Sequence, residues 1–393
     1  MEGLSIIGKS TTRVDALEKV TGRAKYASDV EPPRVLHAKV LRSKYPHAKI
    51  VNIDTSEAEK MPGVRAVITP EDTLKQKVEV IWRGIPDKYP LAVDKVRYVG
   101  EEVAAVAAED ELTAEEAVKL IKVDYEELPA VFDPEDTIKP GAPQLHDDME
   151  NNIIHDVDSE FGDVEKGFKE ADYVFEDRFS TQYSHPCNLE PTVCIASFDS
   201  SGELTFCENS ADPFRNRRLV AKALGITPSK VRILQEFKAG GFGHWQMELS
   251  QYVITALLAK KAGRPVKFVN TRNEELVATR PRGPVITYLK TGVKKDGTLT
   301  ARNIRVVYQC GAYAGYGPIM MMTALAAAAG LYRCSNVRLQ GKAVYTNTVP
   351  TGPSRNFGTK GPQYAIEAQL DIIADKMGID PVELRLKNST RTG

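Results

Sequence analysis

Lys238-Ala239-Gly240-Gly241-Phe242-Gly243 is the stretch on which the reading of this chain turns. Residues 231–237 before it predict a β-strand. Those after it predict an amphipathic helix, with Trp245, Leu249, Tyr252, Val253, Ala256 and Leu257 at helical spacing and Gly263 at the C-cap. Three glycines in four positions let the backbone turn tightly and approach a bound group, and the helix beyond offers unpaired N–H groups. Such a turn serves either an anion site or only the packing of a helix on a sheet, so the surrounding sequence decides between them.

The chain of 393 residues, 42% hydrophobic and 27% charged, is long enough for two or three globular domains. A formal net charge of -1 lacks the basic footprint of a nucleic-acid or anionic-membrane binder. Arg215, Arg217 and Arg218 read as a solvated helix face. The N-terminus has no signal-peptide core, and the longest apolar run, 319–331, is too short and too rich in small residues to span a bilayer; a cytoplasmic protein is expected. Five cysteines, Cys187, Cys194, Cys207, Cys310 and Cys334, have neither metal-cluster spacing nor the number for a disulfide framework. They read mostly as core thiols, and any redox centre must be carried elsewhere.

Residues 17–133 read as mixed α/β, with strands at 36–41, 48–53, 64–68, 103–108 and 122–125. Helices are expected at 56–61 and after Thr113, where Glu116 completes a capping box. No nucleophile, base or ligand cluster gathers there, and the isolated His37, His47 and His146 read as structural. Residues 134–152 turn to Pro, Gly and Asp and predict a connection between a first domain, 1–133, and a second, 153–393. The second begins with strands at 173–180, 193–198 and 204–208. A helix follows with Asp212 as N-cap, Pro213 in its first turn and Gly225 as C-cap. Further strands are expected at 266–270, 285–290 and 299–308, with Lys295-Asp296-Gly297 as a hairpin turn. Two helices close the chain, one carrying Ile366, Leu370, Ile373 and Met377, the other opened by Asp380-Pro381. The fold class is α+β.

Several separated stretches together resemble one family. Asp15-Ala16-Leu17-Glu18-Lys19-Val20-Thr21-Gly22, Ala24-Lys25-Tyr26, Arg42-Ser43, Pro46-His47-Ala48 and Val96-Arg97-Tyr98-Val99-Gly100 resemble the hammerhead-type domain of the xanthine dehydrogenase and aldehyde oxidase molybdenum hydroxylases. Leu189-Glu190-Pro191-Thr192, Ala239-Gly240-Gly241-Phe242-Gly243, Gly311-Ala312-Tyr313-Ala314, Tyr345-Thr346-Asn347 and Ser354-Arg355-Asn356-Phe357-Gly358 resemble the first molybdopterin-binding domain, in the family's order. Residues 90–190 are worded most like the large subunit of hydroxybenzoyl-CoA reductase. The length resembles the split large subunit of nicotinate dehydrogenase.

The resemblance implies a molybdopterin, which in this family can take the form of its cytosine dinucleotide, carrying molybdenum against Gly240, Gly241, Phe242 and Gly243, with Arg355 and Gly358 on a second cofactor loop. Backbone at Phe242 and Arg355 is expected nearest the metal's ligands, where fixed N–H donors stabilise developing negative charge. Phe242 and Phe357 would grip a flat substrate, and Gln246 and His185 would line its pocket. The sequence departs from the family where His244 and Trp245 follow Gly243, where Gln246 replaces a purine-binding glutamate and where Thr323 replaces an orienting arginine, so purine is not the expected substrate. Ser184 or His185 stands where a glutamine commonly bonds the apical oxo group, and Asn356 replaces a glycine. The family's Gly-x-Gly-Glu segment with the catalytic base is missing, and Glu190 reads as a loop anchor, so no catalytic residue is assigned to this chain. The implied enzyme hydroxylates an aromatic or N-heterocyclic compound with water-derived oxygen. A second molybdopterin-domain subunit would supply the base, and [2Fe-2S] and FAD subunits would take the electrons. Reductive dehydroxylation of an aryl-CoA, or a non-catalytic scaffold or maturation role, are the alternatives.

Overall fold

Six consecutive Val and Ala residues from Val103 on make the strand Glu102–Ala108 buried along its whole length. Such a strand must be covered on both faces, and the helices Glu111–Leu120 and Leu249–Ala262 pack against it. The computed structural model describes residues 4–79, 86–149, 151–235, 237–243 and 249–391. Glu102–Ala108 lies next to the end of a seven-stranded mixed sheet whose order is Val231–Leu234, Leu204–Glu208, Val193–Phe198, Val266–Val269, Leu36–Arg42, Glu102–Ala108, Val64–Ile68. The central join is a parallel pairing of Leu36 with Val266 and Ala38 with Phe268, so one sheet contains strands from both halves of the sequence.

A five-stranded sheet runs Tyr173–Ser180, Val285–Val293, Leu299–Gly311, Val337–Tyr345, Ile153–Phe161. Its inner face meets the helices Gly317–Gly330 and Lys360–Met377 around a core that includes Ile304, Tyr308, Met321, Leu370 and Ile373. A three-stranded sheet of Lys95–Val96, Ala48–Asp54 and Lys122–Glu127 completes the N-terminal part. No described helix is long and apolar enough to cross a membrane.

Most expected elements are present, with three differences of physical interest. The strand before the Gly-rich turn ends at Leu234 rather than 237, and Phe237 instead bridges to Tyr26, its N–H donating to the Lys25 carbonyl at 3.2 Å. The helix expected after Thr113 is capped by Asp110, whose carboxylate accepts from the Thr113 N–H at 2.9 Å; Thr113 itself already lies inside Glu111–Leu120. The strands Ile153–Phe161 and Val337–Tyr345 and the helix Gly317–Gly330 are not among the expected elements. Gly341 interrupts the middle of the second strand because the Met321 side chain occupies the space a Cβ would need.

A buried polar seam joins residues 87–102 to the second core. Asp87 accepts from the Ala314 N–H at 2.5 Å and the Tyr345 hydroxyl at 3.0 Å, and burial raises its pKa. Glu101 accepts from the Tyr313 hydroxyl, while Glu102 pairs with Lys88 at 3.0 Å. His146 contacts the Ala312 carbonyl at 2.8 Å, and His47 the Pro129 carbonyl at 2.7 Å, so both histidines are structural. Cys194, Cys207 and Cys310 are buried thiols, whereas Cys187 is exposed.

Asn347 ties three segments together across this seam. Its amide donates to the carbonyls of Pro46 at 3.2 Å and Arg97 at 3.0 Å, and its oxygen accepts from the Val131 N–H at 2.9 Å. Replacing it with Ala strands buried backbone groups from all three. Asn347→Ala is expected to lower stability by about 2–3 kcal/mol in urea unfolding; a loss below about 0.5 kcal/mol would show that water replaces these bonds.

Candidate cofactor site

The edge strand Val231–Leu234, parallel to Leu204–Glu208, delivers the chain to the Gly-rich turn. Gly240, Phe242 and Gly243 there have φ of 122°, 54° and 96°. The second loop has the same character, with Asn356, Phe357 and Gly358 at 84°, 48° and 90°. Asn tolerates this region; for Phe it is strained, at a cost of about 1–3 kcal/mol each. Cys187, at 46°, brings a fourth left-handed non-glycine residue to the adjoining segment.

One hydrogen bond joins the loops: the Arg355 N–H donates to the Phe242 carbonyl at 2.8 Å. Arg282 adds a clamp, donating to the carbonyls of Ser354 at 3.2 Å and Arg355 at 3.1 Å. Gly243 sits so close to this second loop that a Cβ would lie 2.9 Å from the Pro353 carbonyl oxygen. Gly241 is the opposite case, with nothing within 4 Å of a Cβ. Its open side is free for a bound group. Among the described residues, no acceptor meets the backbone N–H groups of Gly240, Gly241, Phe242 or Gly243.

The segment beneath the turn is polar and incompletely satisfied. Asn188 is 1% exposed, both polar atoms of its amide lack a partner among the described residues, and its oxygen is 3.4 Å from where a Gly240 Cβ would stand. Glu190 receives the Ser28 N–H on Oε1 at 3.2 Å, whereas its buried Oε2 has no hydrogen bond. Buried polar atoms without partners, grouped under a row of free N–H donors, are what a polar cofactor would complete. The residues present fit a molybdopterin group, which the donors at 240–243 would hold, with Asn188 in reach of the turn. Glu190 stands out in the sequence, but Asn188 carries no signal until the fold places it under Gly240.

Phe242 is half exposed, and Phe357 is partly buried beside the second core. His185 accepts the Cys187 N–H on Nδ1 at 3.0 Å and has Nε2 2.9 Å from the Thr279 hydroxyl, so its ring is engaged at both nitrogens. Gly358 packs on the Met320 backbone. The Thr323 hydroxyl donates to the Ile319 carbonyl at 2.9 Å, inside its own helix. Ser184 is exposed and bridges to Arg282. Gln246, with His244 and Trp245, lies outside the described residues.

The expectation of a solvated arginine face holds for Arg218, which is exposed, and is corrected for Arg215 and Arg217, which are partly buried. Arg215 is partly buried and donates from Nη1 to the Tyr316 hydroxyl at 2.5 Å, because the N-cap Asp212 orients the helix Pro213–Leu224 toward the aromatic residues by the second loop. At the end of Leu204–Glu208, burial pushes the Glu208 carboxyl up to about 7, opposed by hydrogen bonds from Ser210 and Asn216 and by the charge of Lys238 at the root of the turn. Burial in turn lowers the Lys238 pKa. Among the described residues no group of three or more His, Cys, Asp or Glu could hold a metal ion.

A hammerhead-type region joined to a strained glycine turn and second loop defines a molybdopterin-binding chain. Residues 21–129 match the aldehyde oxidase and xanthine dehydrogenase a/b hammerhead domain and residues 145–389 the molybdopterin cofactor-binding domain; the chain belongs to this family of molybdenum oxidoreductases. It is 40% identical over 98% of its length to a probable xanthine dehydrogenase subunit of Bacillus subtilis, covering 51% of that protein. It is 37% identical over 99% of its length to the nicotinate dehydrogenase large molybdopterin subunit of Eubacterium barkeri, covering 90% of it. The aldehyde oxidoreductase of Desulfovibrio gigas superposes with a TM-score of 0.91 at 30% identity, over 97% of this chain and 43% of the other. The chain thus spans about half of some relatives and nearly all of another.

Two outcomes follow from the turn. Gly241→Val is expected to leave the melting temperature unchanged, since its Cβ meets only open space, and to abolish molybdenum retention. Gly243→Ala, forced against Pro353 at positive φ, is expected to destabilise the fold by about 1–3 kcal/mol. Metal analysis beside thermal unfolding separates them, and full molybdenum occupancy in Gly241→Val would remove the turn from the site. Glu208 supplies a pH test. Its folded-state pKa, about 7, exceeds the ordinary 4.5, so the folded state binds the extra proton and stability falls as pH rises from about 4.5 through 7. Glu208→Gln is expected to flatten that part of the stability profile; an unchanged slope would assign it to other groups.

Proposed function

We propose that this chain carries the molybdopterin of a multi-subunit oxidoreductase that hydroxylates an aromatic or N-heterocyclic substrate with water-derived oxygen. The observation that carries this reading is the row of backbone N–H groups at 240–243 without acceptors among the described residues, on a turn locked by the Arg355-to-Phe242 hydrogen bond. When bound, the metal group supplies nucleophile activation and a two-electron sink. The chain's own share is positional. Donors fixed before the reaction stabilise negative charge without reorganising, and the strained backbone holds them in one geometry. Phe242 and Phe357 offer flat apolar surfaces to a ring.

Glu190 holds Ser28 through one oxygen and anchors the loop beneath the turn. In this reading the catalytic base comes from a second molybdopterin-binding domain, which closes over 240–243 and 354–358. Subunits with [2Fe-2S] clusters and FAD take the electrons. The 37% identity to a protein named for nicotinate supports an N-heterocycle. The Thr323 hydroxyl, engaged inside its helix, gives no support to purine binding.

The test is purification of the complex from its own cells, with molybdenum and nucleotide analysis and dye-linked turnover of nicotinate and xanthine. Stoichiometric molybdenum with turnover of the pyridine ring is expected. A complex free of molybdenum would end this reading. Full turnover by this chain alone would overturn the assignment of the base to a partner.

A further inference from the structure

Tyr316 stands at the start of the helix Gly317–Gly330, with its ring edge-on to Phe357 at 5.6 Å and 73°. Arg215 donates to its hydroxyl at 2.5 Å, and the guanidinium centre lies 5.3 Å from the ring centroid. A guanidinium can only donate, so the phenol oxygen here is an acceptor and its own proton is directed elsewhere. Among the described residues no group accepts that proton. The hydroxyl stays protonated at neutral pH, because burial raises its pKa more than Arg215 and Arg280 lower it.

The surrounding charge has a sign. Arg215 and Arg280 act on the phenol against Asp212, whose carboxylate already caps its own helix by accepting from the Arg215 N–H at 3.1 Å. A donor polarised by a cation, in a field of net positive charge and beside an aromatic face of the second loop, suits an anionic oxygen on a flat ring.

We propose that Tyr316, oriented by Arg215 and packed edge-on against Phe357, is the specificity residue that donates a hydrogen bond to a carboxylate on a planar aromatic substrate. This rests on the function proposed above and names its substrate class. Arg215 acts through Tyr316 and is a positioning residue. Phe357 sets the distance between the phenol and the ring.

The experiment measures binding of pyridine-3-carboxylate and of 3-methylpyridine to the purified complex by equilibrium dialysis, with molybdenum content determined on each sample. The wild-type complex is expected to bind the carboxylate at least about tenfold more tightly than its methyl analogue, as a charge-assisted hydrogen bond provides. Tyr316→Phe, which keeps the ring against Phe357, is expected to erase that preference, leaving 3-methylpyridine binding and molybdenum content unchanged. Arg215→Met is expected to weaken carboxylate binding by a smaller factor, since the phenol remains but is no longer held. A carboxylate preference that survives Tyr316→Phe, or a wild-type complex with molybdenum but no preference, would overturn the assignment while the proposed function stands. A complex without molybdenum would overturn both.

Discussion

The parallel pairing of Leu36–Arg42 with Val266–Val269 holds the Gly-rich turn in its place. It makes one sheet from the hammerhead region and the molybdopterin-binding region. Register is fixed by burial: Leu36, Ala38, Val266 and Phe268 all enter one core, and a slip of one residue would bring the lysines of both strands there instead. One of those lysines makes the next connection. Lys267 donates to the Ser28 carbonyl at 2.8 Å, and the Ser28 N–H reaches Glu190 at 3.2 Å, two residues from Asn188 under the turn. The position of the turn is thus set by a chain of contacts that starts in the sheet and crosses both regions.

Strain and rigidity are linked at the site. Phe242, Asn356 and Phe357 adopt left-handed backbone that an isolated chain would rarely populate. They persist because the packing around them over-determines it. Arg355 joins one loop to the other, Arg282 holds the second loop's carbonyls, and Gly358 lies directly on the Met320 backbone. Strain held this way keeps the two loops in one geometry.

The buried seam serves the same end through polarity. Asp87, Glu101, Glu102 and Lys88 leave water only because each meets a partner from another element. Such a seam specifies one docking arrangement of the two cores, because no other places Tyr313 and Tyr345 against these carboxylates.

The family, the α+β class and most strands and helices were legible from the residues alone, because their signals are local: an Asp-Pro helix start, a glycine C-cap, an alternating strand, a run of glycines. The turn at 240–243 and the loop at 354–358 were legible as candidate segments for the same reason, since a cluster of glycines stands out without a fold. The inward turn of Arg215 was not, since a run of arginines on a helix reads the same whether it faces water or a tyrosine a hundred residues away. Nor was the role of Asn188, whose amide is unremarkable until burial removes its water. The strand at 337–345 was hidden for a related reason, its central glycine being required by a methionine from a different element. Contacts between residues distant in sequence emerged only once the chain was packed, because burial and charge pairing belong to the folded whole and not to any one segment.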